Sequence, residues 1–396
     1  MKVGILTYHW VSNMGANLQA LSTYKYLENH GYNPVIINWI PSDLKQYYIN
    51  NVPSVQVTAH EKFAQEQFLS ITNVCETDEE IAREIERCGI DYIVVGSDAV
   101  FSIKPFLSRI YFGRKGIKYL KPCSDGRFPN PFWGSFKKLL KKPVKIVSLS
   151  ASAQNSPYTK MTARERKQYY AALEGFYKIT VRDIWTKEMV SNITNGNKNP
   201  SITPDPVFAF NNNVKPESLC YVEKSLGFKD KYVLLSVSSS TDDAEWILKL
   251  ESLFNQKGIQ VVGLPKTNRP FKSPLKYNLS LPISPLEWYD AIKYSSGYIG
   301  ELMHPVLVSL HNAVPVFVFD TYGFKTAGRL DEKSSKTFQI MSRFGLLDNY
   351  YNRLYNEFPT PECVFNAIMS FDSKSVKETA AEMHKEYLIM MNYILK

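Results

Sequence analysis

The sequence predicts an α/β fold made of two open, doubly wound, Rossmann-like domains that face each other across a cleft. Short apolar runs alternate with segments of helical periodicity along most of the chain. The length of 396 residues fits two domains. Near the middle, Pro204-Asp205-Pro206 interrupts the series, because neither proline can continue a helix or a central strand.

The predicted first domain covers residues 1–204. It opens with a buried strand at residues 3–7, a polar loop and a helix whose apolar residues recur at helical spacing up to Gly31. The next strand, at residues 35–38, completes a βαβ unit with a parallel strand pair. Further strands are predicted at residues 92–95, 144–149, 179–181 and 201–203.

The predicted second domain covers residues 205–375 and repeats the alternation. Ser284-Pro285-Leu286-Glu287 combines an N-cap, a proline at the first helical position and the glutamate of a capping box. A last helix, at residues 376–396, is expected to pack back across the domain junction. The other elements predicted here are strands at 232–237, 259–264, 298–299 and 316–319 and helices at 242–256, 284–294 and 304–312.

Composition restricts the classes of protein to which the chain can belong. The 22 prolines and 19 glycines are ordinary fractions, which excludes collagen-like structure and argues against disorder. Five widely spaced cysteines favour neither a disulfide framework nor a zinc site. No apolar run suits a membrane span or a signal peptide. A cytoplasmic enzyme without a nucleic-acid partner is therefore the expectation, with peripheral attachment to the inner face of the plasma membrane as an additional option.

A basic segment at residues 114–145 interrupts the first domain. Ten of its residues are Lys or Arg and one is acidic, so its excess equals the net charge of the whole chain, +9. If residues 132–140 form a helix, Phe132 and Trp133 lie on an apolar face and Lys137 and Lys138 on a basic one. That pattern predicts docking on an anionic membrane surface, with a solvated loop as the alternative.

Polar residues follow several of the predicted strands, at the sheet edge where ligands bind in open α/β folds. The first turn carries Asn13, Gly15, Asn17 and Gln19, and its free backbone amides suit an anion or sugar hydroxyls. A capped helix start explains these residues equally simply. A dinucleotide is not expected, because the G-x-G-x-x-G pattern is absent.

Two charged residues follow later strands of the first domain. Asp98 could accept a proton from a sugar hydroxyl or simply form an Asx-turn or N-cap. Arg182 could bind a carboxylate or phosphate through two parallel hydrogen bonds. Its ordinary interpretation is a buried arginine paired with the adjacent Asp183.

In the second domain, His304 precedes an apolar helix, a position where the helix dipole lowers the pKa of a histidine. Ser334, Ser335 and Lys336, preceded by Arg329 and Lys333, could hold phosphate oxygens. The alternative is a solvated run of charges.

Together these residues resemble the polysaccharide pyruvyl transferase family over residues 2–346. No single motif is specific, but their order and spacing match. The resemblance is carried by residues 3–8, 13–21, 95–98, 180–183, 205–206, 300–304 and 334–336, with Phe101 and Pro315.

The resemblance implies a GT-B-like fold and transfer of a pyruvyl group from phosphoenolpyruvate to a hexose of a surface polysaccharide or its lipid-linked precursor, as a cyclic ketal. It implies catalytic roles for Arg182 and His304 and requires neither metal nor organic cofactor. The chain departs from the family pattern at Leu302, where some members carry arginine, and at Glu301, where aspartate is usual. If that arginine binds the phosphate of the donor in other family members, another cation must do so here, and the candidates are Lys336, Arg329 and Lys333.

Chemistry supports the same assignment. Phosphoenolpyruvate becomes electrophilic only when its methylene carbon is protonated, which needs a general acid such as His304. Asp98 could deprotonate the acceptor, and Glu301 is a further candidate for substrate binding. Two alternatives remain open: a GT-B glycosyltransferase that uses a nucleotide sugar, and a non-catalytic glycan-binding relative.

Overall fold

The computed structural model describes residues 1–113, 116–237, 243–268, 273–321, 324–326, 329–331, 334–354 and 356–396. The strands of the first half are β1 (Lys2–Leu6), β2 (Asn33–Ile36), β3 (Tyr92–Asp98), β4 (Ile110–Gly113), β5 (Gly116–Tyr119), β6 (Lys145–Ala151), β7 (Lys178–Val181) and β8 (Ser201–Ile202). The helices are α1 (Met14–Asn29), α2 (Ser42–Asn51), α3 (Ser54–Gln67), α4 (Asp78–Cys88), α5 (Ala163–Glu174), α6 (Ile184–Ile193), α7 (Phe210–Val214) and α8 (Tyr221–Leu226).

The second half continues with the same alternation. Its strands are β9 (Lys231–Ser236), β10 (Ile259–Gly263), β11 (Tyr277–Asn278), β12 (Gly297–Gly300), β13 (Val316–Asp320), β14 (Phe324–Thr326), β15 (Arg329–Asp331) and β16 (Tyr350–Asn352). Its helices are α9 (Ala244–Asn255), α10 (Pro285–Lys293), α11 (Met303–His311), α12 (Lys336–Arg343), α13 (Pro361–Met369) and α14 (Ser373–Leu395).

Each half contains one sheet in which all neighbouring strands are parallel. The first sheet has the strand order β2-β1-β3-β6-β7-β8 and the second the order β11-β10-β9-β12-β13-β16. Both sheets reverse their order near the middle, which creates a crevice at the carboxyl ends of the strands. The predicted fold of two open α/β domains is confirmed.

Local chemistry explains where the helices begin. The predicted capping box is present at α10, where the Ser284 hydroxyl accepts a hydrogen bond from the Glu287 amide and the Glu287 carboxylate accepts one from the Ser284 amide. Asn13 caps α1 in the same way, since its side-chain oxygen accepts a hydrogen bond from the Ala16 amide.

Helix α14 joins the two halves. It begins at Ser373, and its buried residues belong to an apolar cluster that contains side chains of both sheets. At its end, the carbonyl of Ile394 accepts a hydrogen bond from the Tyr92 hydroxyl of β3, and the carbonyl of Tyr393 accepts one from Lys178 of β7. The last helix therefore holds the carboxyl-terminal half against the first sheet.

The helix predicted at residues 132–140 does not form. Two short 3₁₀ turns, Pro131–Trp133 and Ser135–Leu139, are separated by Gly134, whose φ of 70° is left-handed. Phe132, Trp133 and Phe136 are buried in the core of the first domain. These three aromatic residues stabilise the fold and leave Leu139 as the exposed large apolar side chain of the stretch, so the predicted interfacial helix was wrong.

No helix in the described part of the chain combines the length and the hydropathy that crossing a membrane requires.

Candidate active site

The candidate site lies at the carboxyl-terminal edges of the two sheets. Asp98 ends β3, Arg182 follows β7, and His304 is the second residue of α11, after β12. The charges of Asp98, Arg182, His304 and Lys336 act on one another's pKa values, so these four side chains are neighbours. The structure thus brings together residues that are separated by up to about 240 positions in the sequence.

Asp205 positions the side chain of Arg182. Its side chain is 4% exposed, and Nη1 donates a hydrogen bond to Asp205 Oδ2, while Nη2 lies 3.6 Å from Asp98 Oδ1. Within the described residues, Nε and Nη2 are enclosed without a hydrogen-bond acceptor. Those two donors form the planar edge with which a guanidinium binds a carboxylate or phosphate at two points.

The expected pairing of Arg182 with Asp183 was wrong. Asp183 is the N-cap of α6, where its carboxylate accepts hydrogen bonds from the amide and hydroxyl of Thr186 and from the hydroxyl of Ser152. The Asp183 carboxylate therefore acts on Arg182 only through its charge and accepts none of the guanidinium's recorded hydrogen bonds. Asp205, for which the sequence analysis assigned no role, is the actual partner.

Asp98 occupies a backbone position that few residues adopt. Its φ is 81°, and the preceding Gly96 has a φ of 114°. A Cβ on Gly96 would lie 2.5 Å from the carbonyl oxygen of Leu149, so only glycine fits there. This turn directs the Asp98 carboxylate to the end of the sheet. Burial opposes its ionisation, but the charges of Arg182, His304 and Lys336 lower its pKa.

His304 packs against the amino end of α1. A Cβ built on Gly15 would lie 1.9 Å from His304 Cγ, so the imidazole lies directly on the glycine backbone. Its Nε2 is enclosed and has no hydrogen-bond partner among the described residues. Burial lowers the pKa of His304, although Asp98 and Asp205 oppose that shift. In this arrangement the imidazole is therefore neutral at pH 7.

Lys336 is the cation that the second domain supplies. It is the first residue of α12 and is partly buried. Burial, assisted by the charge of Arg182, lowers its pKa to about 8. Lys336 forms no ion pair with another described residue.

The two serines before Lys336 do not form a solvated charge run, since both are buried. The hydroxyl of Ser335 donates a hydrogen bond to Asp320 and accepts one from the Phe338 amide as the N-cap of α12. That hydroxyl is thus committed to the fold, so its expected contact with phosphate finds no support. The side chain of Arg329 and the whole of Lys333 lie outside the described residues.

Other predicted binding residues have structural partners. Asn17 donates to the carbonyl of His9 and contacts the His60 ring, and Gln19 donates to Asp205. Glu301 pairs with Lys266 at 2.8 Å. The alternative of a capped helix start at Asn13 is thus realised, while Gly15 contributes the close contact with His304.

A cavity of about 420 Å³ adjoins these charges. Arg182, Asp205 and Lys336 line one part of it, and Met303, Leu307 and Met383 line another. Across the junction, the amide of Ile184 donates a hydrogen bond to the side-chain oxygen of Gln339 on α12. The cavity therefore has walls from both halves of the molecule.

An aromatic group that was not predicted from the sequence lies near Asp98. The Tyr8 hydroxyl donates to Asp125 at 2.9 Å, and the ring of Trp10 lies edge-to-face against that of Tyr48, 5.7 Å away. Burial raises the pKa values of Tyr8 and Tyr48, and the charges of Asp98 and Asp125 raise them further. Aromatic rings beside carboxylates suit a sugar, and the Tyr8-His9-Trp10 run after β1 was the available signal.

A model of the polysaccharide pyruvyl transferase family matches residues 13–322, which include Asp98, Arg182 and His304. The protein belongs to this family. No curated protein matches the chain closely enough to support a more specific identification.

Solved structures share the fold of this pyruvyl transferase family member at low identity. The UDP-GlcNAc 2-epimerase of Neisseria meningitidis, bound to UDP-GlcNAc, has a TM-score of 0.50 and 10% identity over 98% of this chain and 100% of its own. Spinosyn forosaminyltransferase has a TM-score of 0.50 and 9% identity, with complete coverage of both chains. These likenesses confirm the predicted GT-B-like architecture and carry no information on substrate.

Within the described residues, no group of three or more His, Cys, Asp and Glu side chains could hold a metal ion.

Proposed function

We propose that the protein transfers the pyruvyl group of phosphoenolpyruvate to two hydroxyls of a hexose in a cell-surface polysaccharide or its lipid-linked precursor, forming a cyclic ketal. The observation that carries this proposal is that Arg182 and Lys336 line one cavity, and that His304 lies close enough for both of their charges to act on its pKa. A guanidinium edge that makes no hydrogen bond with the described residues, together with a separate ammonium, suits a small donor that carries a carboxylate and a phosphate.

Arg182 and Lys336 would orient the donor between the two domains. Asp205 positions the guanidinium by accepting the bond from Nη1, which leaves Nε and Nη2 for the donor. Lys336 replaces the arginine that some family members carry at the position of Leu302. A donor that contacts both halves would favour their closed arrangement.

His304 would protonate the methylene carbon of the donor. This makes the adjacent carbon electrophilic, and one acceptor hydroxyl attacks it while Asp98 takes the hydroxyl proton. The bond to phosphate then breaks, and the second hydroxyl closes the ketal. Of the two hydroxyl protons, one replaces the proton that His304 gave to carbon and the other leaves on phosphate.

The low pKa of His304 fits a role as acid once the donor is bound. Alone, the buried imidazole is neutral at pH 7. Two anionic groups beside it would raise its pKa, because a nearby negative charge favours the protonated form. A moderate pKa also lets the proton leave readily for carbon. On the acceptor side, Tyr8, Tyr48 and Asp125 are the candidate sugar contacts next to Asp98.

The direct test is mass spectrometry of lipid-linked glycans incubated with the protein and phosphoenolpyruvate. We expect a product that gains one pyruvyl ketal, with release of one phosphate. Thermal shift with phosphoenolpyruvate and with nucleotide sugars gives the complementary result, since a ligand that binds the native state raises the melting temperature. Stabilisation by a nucleotide sugar alone, with its glycosyl group transferred, would instead establish a glycosyltransferase. Glycan binding without any transfer would establish a non-catalytic relative.

The affinity for phosphoenolpyruvate should decline as pH rises through about 8. Thermal shift with the donor measures binding to the free protein, in which Lys336 has a pKa of about 8, so its positive charge is present below that pH and lost above it. In Lys336→Arg the decline should move to higher pH, because a guanidinium stays protonated. An unchanged decline in that variant would assign it to another group.

A further inference from the structure

An exposed apolar hairpin projects from the first domain between β3 and β6. Strands β4 and β5 pair antiparallel, with Phe112 opposite Ile117 and Ile110 opposite Tyr119. Alternate residues of a strand share a face, so these four side chains lie on one side of the hairpin. Phe112 is 83% exposed and Ile117 is 70% exposed.

The apolar surface continues into the residues that flank the hairpin. Phe106, Leu107 and Leu120 are exposed as well. The ring of Phe106 lies 5.9 Å from that of Tyr119, and the guanidinium of Arg109 lies within 6 Å of both ring centroids. Contiguous apolar surface of this kind on a soluble domain marks a contact with a membrane or a partner.

The charge of the hairpin region distinguishes a membrane from a protein partner. Residues 104–121 contain six Lys or Arg and no acidic residue. Lys118 and Lys121 are exposed, and neither has an ion-pair partner among the described residues. A second copy of the chain is a poor partner, because pairing two such hairpins would bring like charges together. Aromatic and aliphatic side chains flanked by unpaired cations match an anionic bilayer surface.

We propose that the β4–β5 hairpin inserts its Phe112 and Ile117 face into an anionic membrane. Lys121 then contacts the lipid phosphates, and Lys118, which lies beside Tyr111 on the opposite face, adds longer-range attraction to the charged surface. The hairpin, and not the buried stretch 132–140, is then the membrane-binding element of the basic segment. This binding does not depend on pyruvyl transfer. It would, however, place the end of β3, and with it Asp98, close to the bilayer in which a lipid-linked glycan resides.

Co-sedimentation with phosphatidylcholine vesicles, with and without phosphatidylglycerol, tests the proposal. Wild-type protein should bind the anionic vesicles only, and less at high salt. Neutralising two cations in Lys118→Gln/Lys121→Gln should weaken binding about 30-fold, from roughly 1 kcal/mol for each cation. Phe112→Ser/Ile117→Ser should weaken it at least as much. Leu69→Ser is the matched control, because Leu69 is 79% exposed but lies outside the hairpin.

Tryptophan fluorescence distinguishes insertion from charge attraction alone. Emission from Phe112→Trp should shift to shorter wavelength on addition of anionic vesicles, relative to the shift of wild-type protein, and Leu69→Trp should show no such difference. Unchanged melting temperatures would establish that the variants are folded. The proposal is overturned if wild-type protein does not bind anionic vesicles or if both hairpin variants bind normally. It is equally overturned if the hairpin variants alter only the oligomeric state.

Discussion

Replacing His304 by alanine or glutamine should reduce pyruvyl transfer by about 10²–10⁴-fold, the usual contribution of a general acid. Neither side chain can deliver a proton to the methylene carbon of the donor. The fold should persist, because His304 Nε2 makes no hydrogen bond with the described residues that the substitution would break. The measurement is phosphate release from phosphoenolpyruvate in the presence of a glycan acceptor.

His311→Gln is the matched control, since His311 lies on the same helix but its Nε2 accepts a hydrogen bond from the Asn211 amide. Glutamine can keep that bond, so this variant should retain transfer. Donor binding to both His304 variants should remain detectable by thermal shift. Retention of more than about a tenth of wild-type turnover by His304→Gln would remove His304 from the role of acid.

Arg182→Lys should weaken the binding of phosphoenolpyruvate roughly ten- to hundredfold, the value of one charge-assisted contact. A lysine can keep the ion pair with Asp205, but its ammonium cannot at the same time present a planar two-point edge to the donor. The affinity is measured by the thermal stabilisation that increasing phosphoenolpyruvate produces, and by its Michaelis constant.

Arg343→Lys provides the comparison for Arg182→Lys. Arg343 lines the same cavity but pairs with the half-exposed Glu386 at 2.6 Å. It should therefore tolerate lysine with little change in donor affinity. The melting temperature without donor separates a loss of stability from a loss of binding. Equal affinity of Arg182→Lys and wild-type protein would show that the donor binds elsewhere.

The sequence predicted correctly those features that depend on neighbouring residues or on the topology of a parallel sheet. Apolar runs separated by polar turns predicted both parallel sheets, because each βαβ unit is recognisable within some 40 residues. Parallel strands end at the same edge, so Asp98 and Arg182 could be expected to lie close together. Ser284 and Glu287 identified a helix start through a capping box that the structure contains.

The errors arose where partners are distant in the chain. Gln19 binds Asp205 across 186 residues and Arg182 binds it across 23, and neither contact leaves a local pattern in the sequence. Because Asp183 is adjacent to Arg182 in the sequence, it was the expected partner of that arginine, but its carboxylate caps α6 instead. The periodicity of residues 132–140 indicated a surface helix, whereas Gly134 breaks the turn and Phe136 is needed in the core.

The contact between His304 and Gly15 has a consequence for the timing of proton uptake. Gly15 belongs to the first domain and His304 to the second, and burial is the main cause of the low pKa of the imidazole. Separation of the two halves would expose the ring to water and raise its pKa toward the ordinary value. His304 would then be protonated more often while the cleft is open, and the anionic groups of a bound donor would retain that proton as the cleft closes. Domain closure would thus bring an already protonated imidazole to the donor.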